Sequence, residues 1–589
     1  MILQFLYAQY DLLLNNGHED LPLLGRSPAM VSFGLCLDND GNLVDIMDLR
    51  VSGKNKMQPR TMLVPMQPPR AGQNAPAYYL CDKANYVLGY DEKLQKMLDN
   101  PPTEGDKLRD FKKLKKKVES AFMNFQKLHK EILGTDHPIS RFLDQWQPHK
   151  IQNHPRFQSL LKDIKGNSNF VFYLEDEDVY AHEDNGIKDL TLKTPVDDED
   201  SKGQCLVTGE SDELSRIHNK IKGVYGSNAA GASIVGFNDE AFESYGKEQS
   251  YNAPVGKKAM FQYTTALNYM LADKAYHSPF GEITVVFWAN KPGKYGDALK
   301  AVMPGFANNE EAAEYSNLIK DLILALKQGR PLKHDEYELD PMAEVYVLGL
   351  APNNARLAIA FWEVNSFEFF LRRIADHIEN LEIIDANNNL SSDRILWETL
   401  PQKGKDKKVP STMAKSFALS IFTGGLYPMS LYQAIINRIR ADGDVNAIRA
   451  AMVKAYLMRK YKMMNHKEVI TVSLNESDPN VGYQLGRLFA VLEKLQKDAL
   501  GPTINATIKD RYFASASASP ATVFSQLLKL SMYHSAKAKS GGYWEKVKTD
   551  ILDKIGTQFP QHLSLDDQGR FILGYYHQLR AIYTKKEED

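Results

Sequence analysis

The segment QKGKDKKVPST, residues 402–412, divides the chain. It is polar and lysine-rich, the composition of a linker. Beyond it the pattern is almost wholly helical. Leu485, Leu488, Phe489, Leu492 and Leu495 recur at helical spacing and mark one apolar face. Residues 411–589 are therefore expected to form a helical bundle. Residues 1–400 mix strand-like and helix-like patterns. The expected fold class is an α+β N-terminal body followed by an all-α C-terminal helical bundle.

The same division sorts the charge. Of 72 Lys+Arg and 74 Asp+Glu in 589 residues, 28 and 17 lie in residues 401–589, a balance of +11. The remaining 44 and 57 give residues 1–400 a balance of −13. A basic end on an acidic body suggests a polyanionic partner. The length admits about two to four domains. Hydrophobic content of 43% and charged content of 25% are ordinary for a soluble globular protein. Cys36, Cys81 and Cys205 lie far apart, which argues against a disulfide framework and for a reducing compartment.

MILQFLYAQYDLLL at the N-terminus lacks a basic flank and is interrupted by Asp11, so it does not read as a signal peptide. Leu3, Leu6, Tyr7, Tyr10 and Leu13 suit one face of a buried helix. No apolar run approaches the roughly 20 residues of a membrane span. A cytoplasmic protein without membrane contact is expected.

Residues 29–49 read as a β-hairpin turning at Asp38-Asn39-Asp40-Gly41. A strand at Thr61–Met66 follows, between two loops rich in Gly, Pro and cations. Residues 91–135 are helical and charged, and a short strand covers Phe170–Leu174. Helices are expected over 258–272 and Glu310–Gln328 and from Ser366, and strands at Ile283–Ala289, Val345–Leu350 and Leu357–Trp362.

Catalytic motifs are scarce. No GxxxxGK[ST] loop is present, and Gly226-Ser227-Asn228-Ala229-Ala230-Gly231 lacks the lysine that would meet a phosphate. Neither HExxH nor CxxC occurs, so no zinc site is expected. His334-Asp335 resembles the pair of metal-dependent phosphohydrolases, but lone dipeptides usually lie on the surface. Glu175–Asp178 offers oxygen ligands to a cation, or is simply a solvated acidic loop. A buried structural Cys205 is favoured over a nucleophile. No catalytic residue, metal or cofactor is expected.

The cationic segments say more. Lys54, Lys56, Arg60 and Arg70 flank a loop that also offers Gln73 and Asn74. Cations neutralise phosphates, while amides pair with base edges. In Phe111-Lys112-Lys113-Leu114-Lys115-Lys116-Lys117 the lysines spread around most of a helix, so a solvated face and a phosphate track both stay open. In the C-terminal part, cations including Arg438, Arg440, Lys454, Arg459 and Lys460 are spread over neighbouring helices.

The most specific stretch is CLVTGESDELSRIHNKIKGVYGSNAAGASIVGFNDEAFESYGKEQSYNAPVGKKAMFQYTTALNYML, residues 205–271, followed by ITVVFWAN. It resembles the large subunit of the type I-C CRISPR Cascade complex, the Dvulg-subtype Csd family. The resemblance continues at YVLGLAPNNARLAIAFW (346–362), YPMSLYQAIINRIR (427–440) and NATIKDRYFASASASPATVF (505–524), and covers nearly the whole chain. Gly231, Asn238, Tyr245, Tyr251, Asn252 and Asn268 are its fingerprint residues, for contact with nucleic acid or a neighbouring backbone subunit, or for structure.

The resemblance implies a non-enzymatic subunit of a crRNA-guided complex. Such a subunit probes duplex DNA for a protospacer-adjacent motif (PAM) and helps open the duplex. It also holds the displaced single strand, for which the resemblance offers Arg438, Arg440, Lys454, Arg459, Lys460 and Arg511 as cations and Tyr456, Tyr461, Tyr512 and Phe513 as stacking rings or core residues, and presents a surface to the helicase–nuclease. Its partners would be crRNA, target double-stranded DNA, the displaced strand, other type I-C Cascade subunits and the helicase–nuclease. The resemblance places motif reading in the N-terminal part and a small-subunit-like bundle at the C-terminus. It also implies a small subunit made by internal initiation, for which Met452, Met458, Met463 and Met464 are available starts. Guide pairing would carry sequence choice, leaving the protein to make backbone contacts and one short base readout. A metal-dependent nuclease and a purely structural scaffold are the competing functions.

Overall fold

A computed structural model of the chain describes residues 2–584 except 17, 19–20, 54–56, 68–69, 71–75, 149–150, 152–153, 191–201, 301–308, 387–390, 402–407, 467–468 and 502–503; for 309–316 it describes the backbone. Two compact units are present, one of residues 1–220 and 235–267, the other of 221–234 and 268–589.

The first unit begins with α1 (Ile2–Asn15), which buries Leu6, Tyr10 and Leu13 as its periodicity predicts. Its sheet comprises β1 (Arg26–Leu37), β2 (Leu43–Asp48), β5 (Arg60–Pro65), β6 (Cys81–Lys83), β7 (Asn169–Leu174) and β8 (Val179–Tyr180). Between β2 and β5 lies the small hairpin β3 (Val51–Ser52) and β4 (Met57–Gln58). β1 is central, antiparallel to β2 and β5 on one edge and parallel to β7 on the other. Buried on both faces, it carries a near-continuous apolar run from Val31 to Leu37. The register of β1 on β7 shifts between Val31 and Phe33. Phe33, Leu35 and Leu37 join one core and Ala29 and Val31 another, because a one-residue irregularity exchanges the faces.

Helices α2 (Ala84–Val87), α3 (Glu92–Asp99), α4 (Gly105–Leu133) and α5 (Pro138–Gln145) follow. Phe122, Phe125, Phe142 and Leu143 from α4 and α5 pack into the Phe33 core. A two-stranded ribbon, β9 (Lys202–Gln204) and β10 (Ser211–Glu213), precedes α6 (Lys257–Ala272).

The second unit is built on an antiparallel sheet of β11 (His277–Phe280), β12 (Ile283–Ala289), β15 (Glu344–Asn353) and β16 (Arg356–Ser366). Every residue of β12 is buried. Helices α7 (Tyr295–Lys300) and α8 (Asn309–Lys327) and the ribbon β13 (Leu332–His334) and β14 (Tyr337–Leu339) connect β12 to β15. Helix α9 (Phe367–Leu381) starts where Ser366 accepts the Phe369 N–H, a serine N-cap.

After α10 (Ser392–Trp397) the chain is helical: α11 (Ser411–Thr423), α12 (Met429–Asp442), α13 (Ala447–Met463), α14 (Val481–Leu500), α15 (Ile508–Ala516), α16 (Pro520–Lys537), α17 (Gly541–Ile555) and α18 (Leu565–Thr584). The expected fold class is thus observed. These helices share one apolar cluster with the sheet, from Phe280 to Ile582.

Helix α14 differs from its sequence reading. It has no single apolar face, because Gly482 to Leu495 are buried all round. A Cβ on Gly486 would lie 1.9 Å from the Phe571 carbonyl oxygen, and one on Gly574 would lie 2.0 Å from that of Tyr483. The two glycines let α14 and α18 pack backbone to backbone. The polar residues between them are paired: Arg487 donates to Gln578 Oε1 at 2.9 Å, and Tyr575 donates to Glu493 Oε2 at 2.6 Å.

Candidate nucleic-acid interface

Register locates the first set of predicted residues. Asp48 lies opposite Phe33 and Arg60 opposite Val31, so two steps along β1 are matched by twelve along its partner. The β3–β4 hairpin is therefore an insertion looped out of the sheet edge. Arg60 is exposed at its return. At its start, Arg50 is held by Asp48 and Asp163, at 2.7 and 2.9 Å, over the Phe33 ring. Lys54, Lys56, Gln73 and Asn74 lie outside the described residues.

Arg70 is an anchor rather than a free cation. It forms an ion pair with Asp82, and its guanidinium lies 3.5 Å from the Tyr78 ring centroid and 4.1 Å from that of Tyr86. Asp82 also accepts the Tyr78 N–H at 2.8 Å. One carboxylate thereby clips both ends of the segment from Arg70 to Tyr78. Burial pushes the Asp82 carboxyl above its usual range, against the pull of Arg70. Nearby Leu80 adopts a left-handed φ of 56°, and His129 Nε2 accepts its N–H at 3.1 Å.

The lysine run occupies the first half of α4, where no side chain is buried before Val118. At 100° per residue, Arg109, Lys112, Lys113, Lys116 and Lys117 fall within about 140° of one another, all exposed. Within the run only Lys115 points elsewhere, 3.9 Å from Glu119. The exposed cations of the run thus form one face, narrower than the sequence reading allowed.

In the C-terminal helices most predicted cations are engaged. Lys454 is 0% exposed. Its ammonium donates to the carbonyls of Glu379 and Asn380, at 3.4 and 2.9 Å, at the C-terminal end of α9. Burial lowers its pKa to about 8. Arg459 is buried, stacks 3.7 Å from the Tyr427 ring and donates to Ser420 O and Gly425 O at 2.6 and 2.7 Å. Both are core residues, because the sheet-side helices supply carbonyls in place of water. Arg438 pairs with Asp442 and Lys460 with Asp566, each at 2.6 Å, and Arg440 is half-buried. Arg511 is exposed. Of the 28 cations after residue 400, seven are buried among the described residues, against two of the 17 carboxylates, so the surface is less basic than the +11 balance implies. Tyr456, Tyr461 and Phe513 are buried, and Tyr512 is half-buried.

The exposed rings lie elsewhere. Tyr533 on α16 is 74% exposed and Tyr543 on α17 is 56% exposed. Lys529, Tyr533 and Lys537 form a stripe at i, i+4 and i+8 of α16; Lys539 in the following turn and Tyr543 and Lys546 on α17 are also exposed, and Asp498 accepts the Ser540 hydroxyl at 3.1 Å at that turn. Ser535 Oγ donates to the Gly541 carbonyl at 3.3 Å across that turn. From Arg511 to Trp544 the sequence contains four Lys/Arg and no carboxylate. That gap was the available sequence signal for this corner.

The fingerprint residues divide. Asn252 accepts the Ser244 N–H at 2.8 Å and donates to Lys247 O and Gln249 O, bracing a loop. Asn268 accepts the Lys222 N–H at 2.8 Å. Gly231 turns the chain at φ 86°. Asn238 is exposed, Tyr251 half-buried, and Tyr245 stands at a turn tip. His334 Nε2 meets Asp297 at 3.0 Å, and Lys294 pairs with Asp335 at 2.5 Å. Tyr173 hydrogen-bonds to Asp178. Among the described residues no group of three or more His, Cys, Asp or Glu is placed to hold a metal ion, and no helix is long and apolar enough to cross a membrane.

No curated protein matches the chain. The family model of the CRISPR-associated protein (Cas_Csd1) matches residues 6–583, nearly the whole length. The fingerprint segments lie within that match, and the chain belongs to this CRISPR-associated family.

Proposed function

We propose that the chain is the non-catalytic large subunit of a cytoplasmic, crRNA-guided type I-C Cascade surveillance complex. In this role it recognises the PAM in duplex DNA, supports R-loop formation, holds the displaced single strand and helps recruit the helicase–nuclease. Membership of the CRISPR-associated family supports the setting. The observation that carries the DNA-binding part is the α16–α17 corner, where Tyr533 and Tyr543 are exposed close to exposed lysines in sequence and residues 511–544 contain no carboxylate. Such a surface tracks a phosphate backbone while bases stack on the rings. The exposed face of α4 supplies phosphate contacts, and the β3–β4 hairpin and the segment clipped by Asp82 supply the motif-reading loops.

The test uses the assembled complex and motif-bearing duplex in a mobility-shift assay. Alanine at Lys54, Lys56, Arg60, Gln73 and Asn74 together is expected to abolish the shift, and normal binding overturns the site. Losing the cations alone should weaken binding to every sequence and flatten its salt dependence; losing the amides should relax motif choice. Arg70 stays unchanged in this variant because it anchors the loop. Purified protein with Mg²⁺ or Mn²⁺ is expected to leave DNA intact. Cleavage lost on replacing Glu175–Asp178 or His334 and Asp335 would instead establish a nuclease. A complex that keeps its DNA affinity without this chain would make the chain a scaffold.

A further inference from the structure

The segment from Asn238 to Asn252 contains a tight turn at residues 244–247. Ser244 and Lys247 pair as an isolated bridge, and the Lys247 N–H donates to Ser244 O at 3.1 Å. Both central residues have positive φ, 55° at Tyr245 and 67° at Gly246, the signature of a type I′ turn. Asn, Asp or Gly is preferred at the first of these positions, because a bulky side chain in the left-handed region crowds the backbone. Tyr245 is nevertheless there, and it is 98% exposed, so no packing offsets its strain.

The frame beneath the ring is firm. The three Asn252 hydrogen bonds tie Ser244, Lys247 and Gln249 together. Glu243 Oε1 accepts the Gln249 N–H at 3.0 Å, and Arg216 donates to Gln249 Oε1 at 3.0 Å. A strained, exposed ring on a braced turn points to binding rather than packing. The surrounding charge selects the partner. Asp239, Glu240 and Glu248 are exposed and Glu243 half-buried, against two exposed cations, Lys247 in the turn and Arg216 at its base. Four carboxylates repel a phosphate backbone and attract a cationic protein surface. Phe242, 46% exposed, adds apolar area close in sequence.

We propose that the Tyr245 turn is a protein-docking knob whose ring enters an apolar socket rimmed by Lys and Arg on a nucleic-acid-binding subunit of the same assembly. The identity of that partner rests on the large-subunit reading. An aromatic anchor in a desolvated socket with charged residues at the rim is the usual arrangement of an interface hot spot.

The experiment measures the dissociation constant of the full chain from the other subunits, with target-DNA affinity measured in parallel. Tyr245→Gly should melt at the wild-type temperature, since glycine adopts this φ freely. It should nevertheless dissociate about tenfold or more faster from the assembly. Tyr245→Phe should retain binding. Glu240→Lys with Glu248→Lys should weaken it and reduce its salt sensitivity. Wild-type assembly affinity in Tyr245→Gly overturns the knob while leaving the large-subunit reading intact. A loss confined to DNA affinity assigns the ring to nucleic acid and also overturns the knob. A wild-type chain that fails to join the other subunits overturns the large-subunit reading and the knob with it.

Discussion

Arg70 and Asp82 form an ion pair in which the carboxylate is 1% exposed and the guanidinium is sandwiched between Tyr78 and Tyr86. The pair closes the base of a segment rich in amides and glycine. Removing Asp82 strands a largely buried cation, which costs about 3 kcal/mol or more. Asp82→Ala should lower the melting temperature and speed hydrogen exchange at the Tyr78 amide, which loses its acceptor. Arg70→Ala should also lower the melting temperature, whereas Arg60→Ala, at an exposed strand end, should not.

The α16–α17 corner predicts how single strands bind. Tyr533→Ala and Tyr543→Ala should each weaken single-stranded DNA binding by about 1–3 kcal/mol, the usual worth of a stacked base. Alanine at Lys529, Lys537 and Lys546 should flatten the salt dependence by about 0.7 in slope for each phosphate that is no longer neutralised. Titrations of labelled oligonucleotide at several salt concentrations measure both.

Lys454 provides the contrasting case. Lys454→Met should leave single-strand affinity unchanged, because the ammonium faces the carbonyls of Glu379 and Asn380. Its effect belongs to stability. The folded pKa of about 8 lies below the unfolded value of about 10.4, so the unfolded chain binds the extra proton between them. This lysine lowers stability below pH 8, and the penalty fades as pH rises towards 10. The stability difference between wild type and Lys454→Met should therefore shift in the wild type's favour across that window in denaturant titrations.

Acid should unfold the protein through its buried histidines. Burial lowers the pKa of His129, His182, His218 and His577 to about 4 and that of His377 to about 3. Their unfolded values lie near 6.5. Their contribution is unchanged above about pH 6.5 and turns unfavourable as pH falls, because only the unfolded chain takes up the protons. Each ring adds a slope of about 1.4 kcal/mol per pH unit between about pH 6 and its folded pKa. His182 has no hydrogen-bond partner on either ring nitrogen among the described residues. His182→Phe should reduce the slope by one proton, as read from melting curves between pH 7.5 and 4.5.

Gly486 and Gly574 set the separation of α14 and α18. Alanine at either would place a methyl group about 2 Å from a carbonyl oxygen of the opposite helix. The helices must part, at a cost of about 1–3 kcal/mol. A fall in denaturant midpoint for each variant checks this.

Local pattern made much of the fold legible. β12 spans Ile283–Ala289 as read, and α9 begins after Ser366, whose side chain caps it. The hairpin turning at Gly41 was marked by its Asp-Asn-Asp-Gly run. The burial of α14 on every side was not legible, because its polar residues find partners near residues 476 and 578, the second far away in sequence. The candidate interface was less legible still. A lysine looks the same in sequence whether it faces phosphate or a helix end. Lys454 follows the surface-like run Arg438-Ile439-Arg440-Ala441-Asp442, and nothing there discloses a carbonyl partner 74 residues away.

By itself the sequence determined the mixed body, the helical C-terminal run, the charge division and the family fingerprint. Each depends on residue order over a few turns or strands. Only the tertiary structure decided that Lys454, Arg459, Tyr456 and Phe513 lie inside, that Tyr533, Tyr543 and Tyr245 lie outside, and that Arg70 is clipped to Asp82. Burial and charge pairing depend on groups brought together from distant parts of the chain, and those encounters are set by packing rather than by local periodicity.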